Sequence, residues 1–238
     1  MNRFFLAGLA GFLTLSACDS NDPETQTQSL DVQTATDINA DAGPRDPMTG
    51  QVQGTARYAL YDLNAGELVL GIDEDDRSDS LSTVWDIGFN GTTVIVNGGT
   101  SGPGQAEAQI VATPFDALTE APEDGYRTDG EGECPAVMAG GMTFPGTPRA
   151  VCTGSGNGWY TYVPFQTGGG YITPTAGRTL VVLNADGRTY SKVQFVSYYQ
   201  GNPAPADITP ESSERYYTFR FVTQPDGSRD FLTTDVDA

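Results

Sequence analysis

From Thr55 onward, aromatic and β-branched residues alternate with polar ones at a period of two. Tyr217, Phe219 and Phe221 fall on one side of such a run and Tyr216, Thr218 and Arg220 on the other, as in a strand with one face on a core. Residues 83–89 and 92–97 flank Asn90-Gly91, a strong hairpin signal. A second hairpin is predicted where 178–183 and 189–199 flank Asn184-Ala185-Asp186-Gly187, and a third where 215–223 and 229–234 flank Pro225-Asp226-Gly227-Ser228. Only short pieces such as 114–119 read as helical. Adjacent hairpins without crossover helices predict an all-β domain over 55–238, with antiparallel sheets that are sandwich-like or strongly bent.

Two segments precede that domain. Residues 1–17 carry Arg3 and an apolar run over 4–15, too short for the roughly 20 residues of a spanning helix and suited to a secretory leader. The run closes on Leu15-Ser16-Ala17-Cys18, followed by the polar Asp19-Ser20-Asn21, which resembles the lipobox of bacterial lipoproteins. The resemblance implies cleavage before Cys18, acylation of that residue (palmitate being such an acyl group) and a lipid-anchored protein of the bacterial cell envelope, at the outer membrane or on the periplasmic face of a membrane. Residues 18–54, rich in Asp, Thr, Gln, Asn and Pro and without a period, are expected to be a disordered tether.

Charge and composition then exclude chemistry. The formal net charge is −19, and loss of Arg3 with the leader lowers it by one more. Nucleic acid is a poor partner for such a chain, because phosphate binding rests on clustered Lys and Arg. There is no histidine, which removes Ser-His-Asp triads, Cys-His dyads and imidazole zinc sites. After the anchor, Cys134 and Cys152 remain, and in an exported protein such an isolated pair reads as a disulfide, worth about 3 kcal/mol by loop closure. It would close a long loop in the Gly- and Pro-rich stretch 123–158, which also carries Met138-Ala139-Gly140-Gly141-Met142. Long irregular loops in compact domains are often functional.

Three segments together resemble the HmuY-like family of bacterial haem-binding lipoproteins. They are Trp85-Asp86-Ile87-Gly88-Phe89-Asn90-Gly91 running on to Gly99; 179–199 with Asn184-Ala185-Asp186-Gly187 and Ser191-Lys192-Val193-Gln194-Phe195; and Tyr217-Thr218-Phe219-Arg220-Phe221 followed by Gln224-Pro225-Asp226-Gly227-Ser228. The resemblance implies an all-β fold that grips haem or a related porphyrin between loops near one end, for iron acquisition, with an outer-membrane receptor as the recipient. It also implies a binding protein and not an enzyme. In well-known members two histidines hold the iron, and this chain has none. The stretch after Gly158-Trp159, where one of them would fall, offers no strong ligand. Met138 and Met142 are the candidate haem-iron ligands, since thioether sulfur is a legitimate axial ligand. Two sulfurs four residues apart on a short loop are expected to meet the same porphyrin face, so at most one would bind iron. Otherwise both fill gaps beneath the loop.

Other candidates read more weakly. Asp73-Glu74-Asp75-Asp76-Arg77-Ser78-Asp79 departs from a calcium loop at Arg77 and Ser78 and reads as a solvated connection. Gly98-Gly99-Thr100-Ser101-Gly102-Pro103-Gly104 follows a strand but opens no helix, and reads as a loop. Trp85, Trp159, Tyr160 and Tyr162 would form either an aromatic platform for a porphyrin or sugar, or part of the core. The alternative function is therefore an interaction or carbohydrate-binding module on the same fold that has lost haem ligation. An envelope hydrolase would need two convergent carboxylates, and Asp86 is expected to order its hairpin instead.

Overall fold

A computed structural model describes residues 26–41, 57–139, 141–166 and 168–236. The leader and Cys18 lie outside the described residues, as do Met48 and most of the 18–54 segment. The fold is all-β, as expected, with single 3-10 turns as the only helical pieces among the described residues. No helix among them is long and apolar enough to cross a membrane.

Two antiparallel sheets enclose the core. One has four strands, in the order β4 (Glu67–Leu70), β3 (Ala59–Asp62), β5 (Ile87–Asn90), β6 (Thr93–Val96). The other has five, in the order β2 (Gln33–Asn39), β14 (Glu214–Gln224), β13 (Tyr190–Tyr199), β12 (Thr179–Leu183), β7 (Glu107–Val111). The alternation on β14 places Tyr217, Phe219 and Phe221 inward, each fully buried. Their rings meet those of the other sheet: Tyr61 lies edge-on to Phe219 at 5.1 Å and to Phe221 at 5.8 Å, and Phe89 lies 4.5 Å from Tyr217. Such edge-to-face pairs add about 0.5–1.5 kcal/mol each beyond burial.

Each sheet is also covered on its outer face. Leu60, Leu70, Trp85 and Ile95 cluster outside the four-stranded sheet. Outside the five-stranded one, Phe115, Leu118, Ala121 and Phe231 pack on Val181 and Val222. Lys192, the chain's one lysine, is buried there. Its ammonium donates to the carbonyls of Phe115 and Leu118 at 3.0 and 2.7 Å and sits 4.6 Å from the Phe115 ring. Desolvation lowers its pKa, and the two carbonyls and the ring face compensate for the lost water.

Three expectations are corrected. The tether does not extend over residues 26–41: β1 (Gln26–Ser29) pairs with β15 (Thr233–Val236), and β2 forms the edge of the large sheet. The apolar residues of β2, Ala35 and Ile38, are three apart and would point to opposite faces of a regular strand. A bulge opposite the 217–219 stretch, with Asp37 at φ 53°, brings both into the core. The third hairpin does not form, because β14 pairs with β13 and β2, while the strand after the 225–228 turn pairs with β1. The first hairpin forms one residue out of the expected register. Asn90 pairs with Thr93, leaving Gly91-Thr92 as the loop with Gly91 at φ 54°, the position where a two-residue turn demands glycine.

Asp86 ties the two sheets together from the rim. Its carboxylate accepts the N–H of Leu63, after β3, and the N–H of Ala185, in the β12–β13 loop, each at 2.7 Å. Burial pushes its pKa up to about 6, with the two N–H bonds acting in the opposite direction. The ordering role expected of it is thus a cross-link between hairpins.

A chain beginning at Arg57 is expected to be less stable than one beginning at Asp19 by about 3 kcal/mol or more, from the burial of Ala35 and Ile38 alone. Equal thermal midpoints for the two would mean that 26–41 contributes no more than a tether. For Asp86, the folded pKa lies above the unfolded value, so the native state holds the extra proton, and stability is gained as pH falls from 7 toward 4. Asp86→Asn leaves one of the two N–H groups facing an amide NH2 and loses this component. The advantage of the parent protein over the variant in urea unfolding should widen by about 2 kcal/mol between pH 7 and 4. A constant difference would show that the carboxyl titrates normally.

Candidate functional site

The stretch 123–158 is held at its root and projects at its tip. Cys134 and Cys152 form the expected disulfide, with Cα atoms 5.4 Å apart. Buried Asp129 accepts the N–H of Val96 at 3.1 Å and that of Ala150 at 3.0 Å, joining the end of β6 to the second arm of the loop. Arg127 donates to the carbonyls of Glu133 and Ala150. The glycine run 98–104 lies against this root. A Cβ on Gly99, at φ 59°, would stand 2.0 Å from the Asp129 carbonyl, and one on Gly98 would stand 2.2 Å from that of Ala106. Those glycines serve close backbone approach.

From the root rises a hairpin of β8 (Val137–Ala139) and β9 (Met142–Phe144), paired Val137 to Phe144, Met138 to Thr143 and Ala139 to Met142. Directly opposed residues share a face, and alternate residues along a strand do too. Met142 therefore stands with Val137 and Phe144, and Met138 stands with Thr143 on the other side. The two sulfurs thus stand on opposite faces of this hairpin, because the register opposes Met142 to Ala139 and Met138 to Thr143. Neither is a gap filler, since Met138 is 76% and Met142 62% exposed.

A second hairpin, β10 (Tyr160–Pro164) with β11 (Gly170–Pro174), stands beside the first. The junction is Gly154. Its N–H donates to the Tyr160 hydroxyl at 3.0 Å, and a Cβ built on it would lie 2.9 Å from Val137 Cγ2. Ser155 Oγ accepts the Tyr162 N–H at 2.9 Å. Val137 of one hairpin and the Tyr160 hydroxyl of the other thus both border Gly154. Phe144 and Tyr162 are each 46% exposed, so the slot between the two hairpins has an exposed aromatic side chain on each of them.

Trp159 is buried, lies 4.8 Å from Phe195 and 5.1 Å from Tyr217, and donates Nε1–H to the Thr92 carbonyl at 3.0 Å. Of the four residues considered for an aromatic platform, Trp85, Trp159 and Tyr160 are core and only Tyr162 is exposed. Burial raises the pKa of the Tyr217 hydroxyl well above its usual value; it stays neutral and donates to the Gly91 carbonyl at 2.8 Å.

The acidic run 73–79 is used in turns. Glu74 accepts the Gly71 N–H, Asp76 accepts that of Ser78, and Arg77 donates to the carbonyls of Gly71 and Tyr58. The Ser78 bonds hold the Asp76 pKa low. No three acidic or cysteine side chains converge to hold a metal among the described residues. The residues that position the slot, Asp129 and Arg127, were not legible in the sequence: Thr128-Asp129-Gly130 reads as an ordinary turn among 31 acidic residues.

The family model described as HmuY protein matches residues 54–221. Among solved structures, the chain is similar to the crystal structure of the apo HmuY analog of Tannerella forsythia. That similarity has 16% identity and a TM-score of 0.42, and covers 85% of this chain and 99% of that one. No curated protein matches.

Proposed function

The chain belongs to the HmuY family, and from that premise we propose that it is a non-enzymatic, lipid-anchored envelope protein that binds haem or a related porphyrin. The observation that carries the reading is that Met142, Phe144 and Tyr162 are exposed on two hairpins that meet at Gly154 above a disulfide-held root. Apolar and aromatic side chains left in water at a loop tip mark a binding surface more than a folding requirement. Haem, when bound, presents two flat apolar faces and an iron that accepts thioether sulfur. Met142 is the ligand this reading favours, because it shares its face with Phe144 and with Val137, whose side chain reaches Gly154. Met138, on the opposite face, has no such surroundings. The alternative of a glycan platform loses support, since three of its four aromatic residues are buried.

The rest of the reading follows from family and sequence. Cys18 would carry the acyl anchor, the segment between it and β1 would span from the bilayer, and an outer-membrane receptor would accept the cargo. Thioether ligation favours ferrous over ferric haem relative to imidazole ligation. A histidine-free member would accordingly hold reduced haem the more firmly.

Titration of the chain from Asp19 onward with ferric and with dithionite-reduced haem tests this. A saturable Soret shift is expected, stronger in the ferrous state. Met142→Ala should weaken binding by about tenfold or more, the scale of one lost ligand interaction, and Met138→Ala should leave it within about twofold. No saturable shift in either oxidation state would overturn haem binding; equal effects of the two substitutions would overturn the choice of Met142 alone.

A further inference from the structure

Beside the root of the stapled loop lies a cleft of about 400 Å³ whose walls include Gln109, Ile110, Arg127, Cys152, Asn157 and Arg178. Ile110 and Arg178 also line an adjoining recess of about 100 Å³ backed by Trp159, Leu180 and Phe195. The pair forms a small recess of mixed polarity with a polar antechamber, lined between them by two guanidinium groups, and no acidic residue lines either part.

That composition is unusual for this chain. With 12 basic against 31 acidic side chains, Arg57, Arg215, Arg220 and Arg229 all meet carboxylates in ion pairs. Arg127 and Arg178 form none among the described residues. Arg178 donates to the Gly158 carbonyl at 2.5 Å, and Arg127 to the carbonyls of Glu133 and Ala150 at 3.3 and 3.4 Å and to Cys152 Sγ at 3.6 Å. A guanidinium has five N–H donors in a planar fork. Carbonyl bonds of this number leave donors free on both residues and neutralise neither charge. Two uncompensated cations on one partly buried cleft are placed to take an anion, and a carboxylate is the anion whose geometry the fork matches.

The cleft also borders the slot. Cys152 lines it and is bonded to Cys134, three residues before β8, and Asn157 lines it while packing on Gly154, where the two hairpins meet. We infer that Arg127 and Arg178 form a carboxylate-binding subsite that takes the acidic edge of an amphipathic ligand whose apolar body lies in the neighbouring slot. This rests on the porphyrin reading for the identity of the body: a natural porphyrin carries propionate side chains, and these are the groups the subsite would hold. The general chemistry, an organic carboxylate on an apolar frame, does not rest on it.

The two arginines could instead serve only to clamp carbonyls at the root of the loop. Ligand-side chemistry separates the roles without relying on any variant. Metal-free protoporphyrin IX and its dimethyl ester differ in their carboxylates alone, and neither contains iron for Met142 to bind. Fluorescence titration of the full-length chain should show the diacid binding at least about tenfold more tightly than the ester, the scale of one charge-assisted pair. Arg178→Lys and Arg127→Lys, which keep the charge and lose the fork, should each reduce that preference, and Arg127→Gln with Arg178→Gln should abolish it. Diacid and ester binding equally to the parent protein would overturn the subsite and leave the porphyrin reading intact. If neither porphyrin binds, 4-phenylbutyrate decides: shifts of the Trp159 indole N–H resonance that vanish in the double Gln variant would keep the subsite and remove the porphyrin, and absence of such shifts would remove both.

Discussion

One stripe of rings on β14 sets the position of everything else. Tyr217, Phe219 and Phe221 occupy alternate positions on a single strand and reach across to Tyr61 and Phe89 of the opposing sheet. The same stripe meets Trp159 and Phe195 at its Tyr217 end. Because Trp159 is the residue immediately before β10, the aromatic core fixes where the second hairpin leaves the body of the molecule. The Tyr217 hydroxyl then holds the Gly91 carbonyl at the tip of the β5–β6 turn. A loss of volume at Tyr217 would therefore be felt in both sheets and at the root of the slot, the behaviour expected of a close-packed interior.

Around that core, buried polar groups do the work that helices do in other folds. Asp86 joins the β3–β4 turn to the β12–β13 loop, Asp129 joins β6 to the stapled loop, and Lys192 holds the 3-10 turn at Phe115. Each satisfies backbone groups that would otherwise be orphaned in a chain with long connections. The arrangement has a stability consequence: a buried acid holding two N–H groups is replaceable by neither an amide nor an apolar residue without leaving a donor unpaired. It also explains how exposed hairpins can be presented rigidly. Their roots are fixed by a disulfide, a carboxylate and an arginine, while their tips make few contacts of their own.

Legibility in the sequence followed periodicity. The strands of β5, β6, β12, β13 and β14 are rich in aromatic and β-branched residues and bounded by turn residues, and they were readable from residues alone, as was the pairing of Cys134 with Cys152. β2 was not, because its bulge breaks the period and only Ala35 and Ile38 are apolar; it also precedes the residues that the family model matches. The third hairpin failed for a related reason. A turn signature after Gln224 is genuine, with Asp226 accepting the Ser228 N–H, but turn chemistry does not say which strand the chain meets next. At the site, exposure decided between readings that composition could not. Met138 and Met142 differ only in the pleat they occupy, and Trp85 and Trp159 differ from Tyr162 only in depth.

The charge of the chain bears on what the site can accept. A protein of net charge −19 repels dicarboxylate ligands at long range, yet that repulsion is screened over about 8 Å at physiological ionic strength. Inside the cleft the relevant charges are those within a few ångströms, where Arg127 and Arg178 stand without acidic neighbours in the lining. A field of acids outside and a fork of cations within would slow the approach of carboxylate ligands but not weaken their hold once seated. Discrimination then falls on short-range geometry: small inorganic anions gain the cations but no apolar contact, and neutral apolar molecules gain the slot but leave the guanidinium donors unmatched. Only a ligand that is flat, apolar and acidic along one edge uses both halves.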